Sequence, residues 1–225
     1  MPHKTLKKRL SDRSLLMLLA RLYPMAASEL HFNNPYQLIV SVMLSAQCTD
    51  KKVNEVTPTL FRRYSSFEAL AKAELKTLEH IIRPINYYRT KSKNLKAMAQ
   101  MVTQIYDGKL PSSLDELKGL PGVGQKTASV IQCEMGTGYA FPVDTHVFRV
   151  AKRLGLAQGK TPLHVETELK ARFTPRHWRN LHHRLILHGR KVCKSTHPLC
   201  RACRLTRLCA WYQDIQLKLS TSAPR

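Results

Sequence analysis

The 225-residue chain is long enough for one or two domains with a real core, and its 43% apolar content places it among globular proteins. No stretch approaches eighteen uninterrupted apolar residues, which excludes a membrane-spanning helix. With 37 Lys+Arg against 15 Asp+Glu, the net charge is +22 and calls for a polyanionic partner, although composition does not separate DNA from RNA.

The start, MPHKTLKKRLSDRSLLMLLARL, has a basic head and an apolar run that Arg21 interrupts, with no small-residue cleavage site after it. It reads as an unstructured basic arm that touches nucleic acid, followed by an amphipathic helix capped by Ser11, rather than as an export signal. A bacterial cytoplasm is the expected location. The six cysteines are then expected to be reduced, which favours metal or cluster ligation over disulfides.

Helical periodicity continues through PYQLIVSVMLSAQ from Pro35, LKTLEHII from Leu75 and NLKAMAQMVTQIY from Asn94, with apolar residues three and four apart. Thr49 and Asp50 open another helix, and Asp107-Gly108 closes one. Alternating Val/Ile-rich strands are missing, so the predicted fold is all-α with short loops and no repeat of fixed period. Two domains are expected. One is a helical series over residues 28–138, and the other combines residues 1–27 with 139–225, the first helix packing on the C-terminal half. Cys48 and Cys133 fall on apolar helix faces and read as small buried hydrophobes. The end, STSAPR, is polar and expected to fray.

GLPGVGQKTASV, residues 119–130, resembles a nucleotide phosphate loop only superficially. Gly119 and Gly124 fit that frame, but Gln125 stands where its lysine belongs and Lys126 comes one place late. Upstream, Ser113 followed by Asp115 and Glu116 marks a helix start, where a phosphate loop needs a strand. The segment is therefore a hairpin between two helices. Pro121 and the glycines permit positive φ, and Gln125-Lys126-Thr127 opens a helix whose first amides have no internal partners. Such amides, at the positive end of the helix dipole, bind phosphate. On this evidence alone, a simple grip on a nucleic-acid backbone is as good a reading as catalysis.

Eighteen positions after Lys126, Asp144 in FPVDTHVFRVAKRLGL is placed to cap the next helix. Two neighbouring helix starts can present a lysine and an aspartate to one cleft, where the dipoles disfavour an ammonium and favour a carboxylate, as a nucleophilic lysine requires. His146 reads as structural. Further on, Cys193, Cys200, Cys203 and Cys209 have six, two and five residues between them. Four thiolates so spaced among Lys, Ser, His and Arg suit a metal site, and the spacing leaves zinc and a four-iron cluster both open.

LPGVGQKTASV, VDTHVFRVAKRLGL, LILHGRKVC and the Cys-x6-Cys-x2-Cys-x5-Cys loop together resemble the endonuclease III family, the bifunctional DNA glycosylase/lyases of the helix-hairpin-helix superfamily. The resemblance runs from about residue 12 to 212. It implies a two-domain helical fold with a C-terminal iron-sulfur loop, acting as a monomer near the nucleoid on duplex DNA with oxidised pyrimidines or abasic sites. Lys126 matches the lysine that attacks the sugar C1′, and Asp144 the aspartate that assists base departure. The four cysteines match the ligands of a [4Fe-4S] cluster. Gln47, in MLSAQCTD, matches the residue that fills the gap left by a flipped nucleotide, and PINYYRTKSKNL matches the loop that wedges the opposite strand. In that loop Asn86 and Tyr87 replace the usual glycine and apolar residue; asparagine tolerates left-handed backbone, and Tyr87 becomes the wedge. Leu120, Gly122, Val123 and Gly124 of the hairpin, with Lys194 of the cysteine loop, are assigned to the DNA backbone. A monofunctional mismatch adenine glycosylase, which lacks the lysine, and a non-enzymatic DNA-binding module are the competing readings.

Overall fold

The computed structural model describes residues 11–136 and 140–221, which form twelve α-helices, three short 3-10 segments and no strand. The basic arm of residues 1–9 lies outside the described residues. Of the polar end, Ser220 and Thr221 close the last helix and the rest lies outside them as well. By its contacts the chain divides into two compact units, Ser28–Ala140 on the one hand and Met1–Ala27 with Phe141–Arg225 on the other.

The unit Ser28–Ala140 is built around one buried helix. Asn34 caps it, its side-chain oxygen accepting the Gln37 N–H at 2.9 Å, and Pro35 takes the first helical position, where a missing N–H costs nothing. This helix, Pro35–Ser45 (α2, following α1 Asp12–Leu22 of the other unit), is buried at residue 36 and from 38 to 44. A helix apolar all round belongs inside a protein, and three others pack on it: α3 Asp50–Arg63, α6 Tyr88–Ile105 and α8 Gln125–Met135. The shorter α4 Phe67–Ala71, α5 Leu75–Ile81 and α7 Leu114–Gly119 complete the unit. Thr49, Ser66, Glu74 and Ser113 cap α3, α4, α5 and α7 with their side chains. The longest helix, α6, starts at Tyr88, six residues ahead of the periodic stretch from Asn94. Its first turn, YRTKSK, is polar, and its start is set by long-range hydrogen bonds described below. Cys48 lies in the turn after α2 rather than on a helix face, packed against the core, whereas Cys133 is buried within α8.

The second unit joins α1 to α9 Thr145–Leu154, α10 Pro162–Arg172, α11 Trp178–Lys191 and α12 Ala210–Thr221. Leu15 and Leu19 of α1 enter a core with Val147, Val150, Leu169, Leu181 and Leu185. Burying a leucine of this kind contributes roughly 1.5–3 kcal/mol. At the surface end, the Arg172 guanidinium grips the Asp12 carboxylate, with Nη2 at 2.7 Å and Nε at 3.0 Å, and its Nη1 donates to the Gly155 carbonyl. One arginine thereby ties the first helix to the α9–α10 corner.

Candidate functional site

In the unit Ser28–Ala140, the hairpin begins where α7 ends. Leu120 to Val123 form a tight turn closed by the Val123 N–H donating to the Leu120 carbonyl at 3.0 Å, with proline second and glycine third. Gly122 has φ 77°, and a Cβ there would stand 2.8 Å from Cβ and Nδ2 of Asn94 on α6, so no other residue fits without displacing that helix. Gly124 precedes α8 with open space above it and gives the helix no side-chain cap. The leading amides of α8, those of Gln125, Lys126 and Thr127, lie before the first intrahelical bond of that end, from Ala128 N–H to the Gly124 carbonyl. Lys126 is exposed at this end. Leu120 and Val123 are only 2% and 5% exposed, so their side chains belong to the core and only backbone is left to face a ligand.

Two further loops of the same unit carry non-glycine residues in the left-handed region. Gln47 has φ 55° and Tyr87 has φ 58°, both are exposed, and Tyr87 is 67% so. Sequence reasoning put the left-handed position of the second loop at Asn86; it is Tyr87 that adopts it, while Asn86, exposed, directs its side-chain amide at the Gln47 turn. Asn86 Nδ2 donates to the Gln47 carbonyl at 2.7 Å. Lys91 Nζ donates to the carbonyls of Leu44 and Ala46, each at 2.7 Å, satisfying acceptors at the C-terminal end of α2. Burial holds the Lys91 ammonium below its ordinary range. The loop motif singles out Asn86 but not its bond to the Gln47 carbonyl, and Lys91 carries no signal of its own that would reveal its partners without the fold.

In the other unit, Asp144 is the N-cap of α9, one carboxylate oxygen accepting the Val147 N–H at 2.7 Å. His146, the second residue of α9, is half-buried, and burial lowers its pKa against the opposing pull of Asp144. Gly189 of α11 lies directly beneath it, since a Cβ there would come within 3.0 Å of the His146 Cβ and 3.2 Å of Arg149 Nη2. The glycine of LILHGRKVC is thus the point at which α9 and α11 approach closely.

That approach lets α9 hold the cysteine loop. Arg149 donates to the carbonyls of Gly189 and Cys193. Arg153 donates to those of Lys194 and Ser195 and, at 3.4 Å, to the Cys193 sulfur, while the Cys209 thiol reaches the Arg153 carbonyl at 3.2 Å. The two arginines are four apart in VFRVAKR, which puts both on one helix face; that spacing is the signal the sequence reading passed over. Burial first, and then the nearby Cys193, Cys203 and Cys200, push the Cys209 thiol up to about 11. Cys203 is likewise raised, by burial first and then by Cys193 and Cys200, and Cys200 by burial and Cys193. The four thiols therefore share one electrostatic neighbourhood. Among the described residues, no three His, Cys, Asp or Glu side chains are arranged to hold a single metal ion. Lys194, Arg201 and Arg204 of the loop are exposed. No helix among the described residues is long and apolar enough to cross a membrane.

Residues 40–175 match the model of the HhH-GPD superfamily base excision DNA repair proteins. Endonuclease III of Synechocystis sp. is 39% identical over 207 residues, covering 92% of this chain and 94% of that protein. Endonuclease III of Bacillus subtilis is 44% identical over 189 residues, 84% of this chain and 86% of its own. Among solved structures, a trapped covalent intermediate between endonuclease III and DNA, an estranged-adenine complex, superposes with a TM-score of 0.81 at 39% identity, covering 92% of this chain and 99% of that one. A non-covalent endonuclease III–DNA complex gives the same TM-score, 0.81, at 40% identity over 91% and 96% of the two chains. The chain belongs to the HhH-GPD superfamily of base excision DNA repair proteins and, within it, to the endonuclease III family.

Proposed function

We propose that this chain excises oxidised pyrimidines from duplex DNA and cuts the resulting abasic site by β-elimination, with Lys126 as the nucleophile. As a member of its family it is a DNA glycosylase and abasic-site lyase that binds duplex DNA. The observation that carries the residue assignment is the setting of Lys126: exposed, in the first turn of α8, beyond a hairpin whose Gly122 admits no side chain. The uncapped amides of that turn receive a DNA phosphate and bring the strand to the lysine. Leu120, Gly122, Val123 and Gly124 take part through their backbone.

The lesion nucleotide first leaves the stack, at a cost of a few kcal/mol that poor stacking of a damaged base reduces. The Lys126 amine bonds to C1′ as the bond from C1′ to the base breaks, and the base departs with the electron pair and a proton. The Asp144 carboxylate stabilises positive charge growing on the sugar. Ring opening gives an iminium between Lys126 and C1′, which acidifies the C2′ proton; its loss expels the 3′ phosphate, and water later releases the lysine. Gln47 and Tyr87 occupy the duplex where the nucleotide has left. Their left-handed backbone supports this role, since strain of about 1–3 kcal/mol per residue gathers where a side chain must be held ready for a ligand.

The reading extends to domain organisation and cofactor. Residues 28–138 form the domain with the hairpin, and both termini form a domain whose loop holds a [4Fe-4S] cluster through Cys193, Cys200, Cys203 and Cys209. The chemistry of the donor set supports this reading: four cysteines on one loop, with N–H donors from Arg153 and Leu205 directed at Cys193 and Cys203 sulfur. Cys193, Cys200, Cys203 and Cys209 would hold the cluster, which when bound would tie the loop covalently, and Lys194 of that loop faces the DNA backbone. Location in a bacterial cytoplasm at the nucleoid, as a monomer, belongs to the same reading.

Borohydride reduction on duplexes bearing thymine glycol or an abasic site tests the assignment. A covalent complex is expected with the native chain and none with Lys126→Gln; trapping by Lys126→Gln at the native rate would move the chemistry to another amine. Cys203→Ala is expected to lose iron, the yellow-brown colour and stable folding together, and colourless, active protein carrying zinc would overturn the cluster.

A further inference from the structure

Asn86 lies between the two loops that carry Gln47 and Tyr87, and its side chain joins them. Its Nδ2 donates to the carbonyl of Gln47 itself, and the next residue along its own chain is Tyr87. The hydrogen bond thus links the peptide units of the two exposed, left-handed residues of this region. Lys91, one turn into α6, holds the same turn from beneath through the carbonyls of Leu44 and Ala46. Asn94, a turn further, abuts Gly122 of the hairpin. The opening turns of α6 are therefore a common anchor for the Gln47 turn, the Tyr87 loop and the hairpin.

We propose that Asn86 is a positioning residue that latches the Gln47 turn to the Tyr87 loop, so that both side chains enter the duplex as one preset unit. The proposal rests on the reading that Gln47 and Tyr87 enter the helix stack. Without the latch each loop must find its left-handed conformation separately, and that ordering is lost from binding. Two rigidly joined probes also report on both strands at once: a gap accepts Gln47 only where the opposite strand admits Tyr87.

A double-mutant cycle tests this. The probe is a duplex with a tetrahydrofuran abasic-site analogue opposite 2-aminopurine, whose fluorescence reports unstacking of the opposite base. Asn86→Ala is expected to weaken binding about three- to ten-fold, the worth of one hydrogen bond, and to blunt the fluorescence rise. Asn86→Asp keeps the size, exchanges the donor for an acceptor, and is expected to lose at least as much. In a Gln47→Ala background, Asn86→Ala is expected to cost clearly less than in the native chain, because one of the two side chains it positions is gone. Additive losses would overturn the latch, as a merely structural residue or an independent DNA contact gives additivity. Thermal unfolding of each variant normalises binding to folded protein. Should Gln47→Ala and Tyr87→Ala both bind as the native chain does, the reading of the loops fails; undiminished binding by Asn86→Ala beside a weakened Gln47→Ala overturns the latch alone.

Discussion

Lys126 and Asp144 share one local setting, the first residues of a helix, and differ in what that setting leaves them to do. Asp144 caps its helix, one carboxylate oxygen accepting the Val147 N–H, and the proposed mechanism gives the same side chain a second role, as the charge that stabilises a cation on the sugar. Asp144→Asn separates the two roles, since asparagine caps about as well and carries no charge. Base excision is expected to slow by roughly 10²- to 10⁴-fold, the usual size of one positioned charge or proton-transfer group, with lesion binding retained. On a preformed abasic site, where no base has to leave, Asp144→Asn is expected to keep more activity than Lys126→Gln, as measured by single-turnover strand cleavage on both substrates. Equal losses on the two substrates would place Asp144 in the elimination step instead.

At the scale of elements, the helices that were legible are those whose ends a single side chain decides. Ser11, Thr49, Ser113 and Asp144 each cap the helix that the sequence predicts at that point, because an N-cap needs one oxygen three residues before an amide. The start of α6 was not legible: Tyr87 offers no cap, the first turn has no apolar period, and what fixes it comes from α2 and the turn beyond it, 45 and 47 residues away in the chain. For Arg149 and Arg153 the spacing showed a shared helix face, but the same limit hid their partners, which are carbonyls of a loop about 40 residues on. The hairpin was legible as a turn, while the burial of Leu120 and Val123 follows from packing that the motif does not encode. Gly122→Ala tests how firmly the turn is set. It meets both a positive φ and a 2.8 Å approach to Asn94, so it is expected to destabilise folding by about 1–3 kcal/mol in urea titration and to weaken DNA binding beyond that loss. Gly124→Ala, with φ in the ordinary range and nothing within 4 Å, is expected to leave stability nearly unchanged while obstructing the backbone approach.

Over the whole molecule, the charge of +22 acts on association before any single contact forms. Each phosphate a protein neutralises releases condensed counterions, and log K falls with log salt at about −0.9 per contact on duplex DNA. If the hairpin, the exposed Lys194, Arg201 and Arg204 of the cysteine loop and the loop ahead of α6 all reach backbone, at least about five phosphates are neutralised and the slope is about −4.5. The catalytic residues contribute little to this number, which makes it separable from chemistry. Removing Arg201 and Arg204 together, as alanines, is expected to flatten the slope by about 1.8, two contacts at −0.9 each, and to weaken lesion and intact duplexes by the same factor, because a phosphate contact carries no information about the base. Fluorescence anisotropy on both duplexes between low and physiological salt measures slope and factor together. A slope shallower than about −2 in the native chain would show that most of its charge faces away from the DNA. A loss confined to the lesion duplex would show that the cysteine loop senses damage rather than backbone.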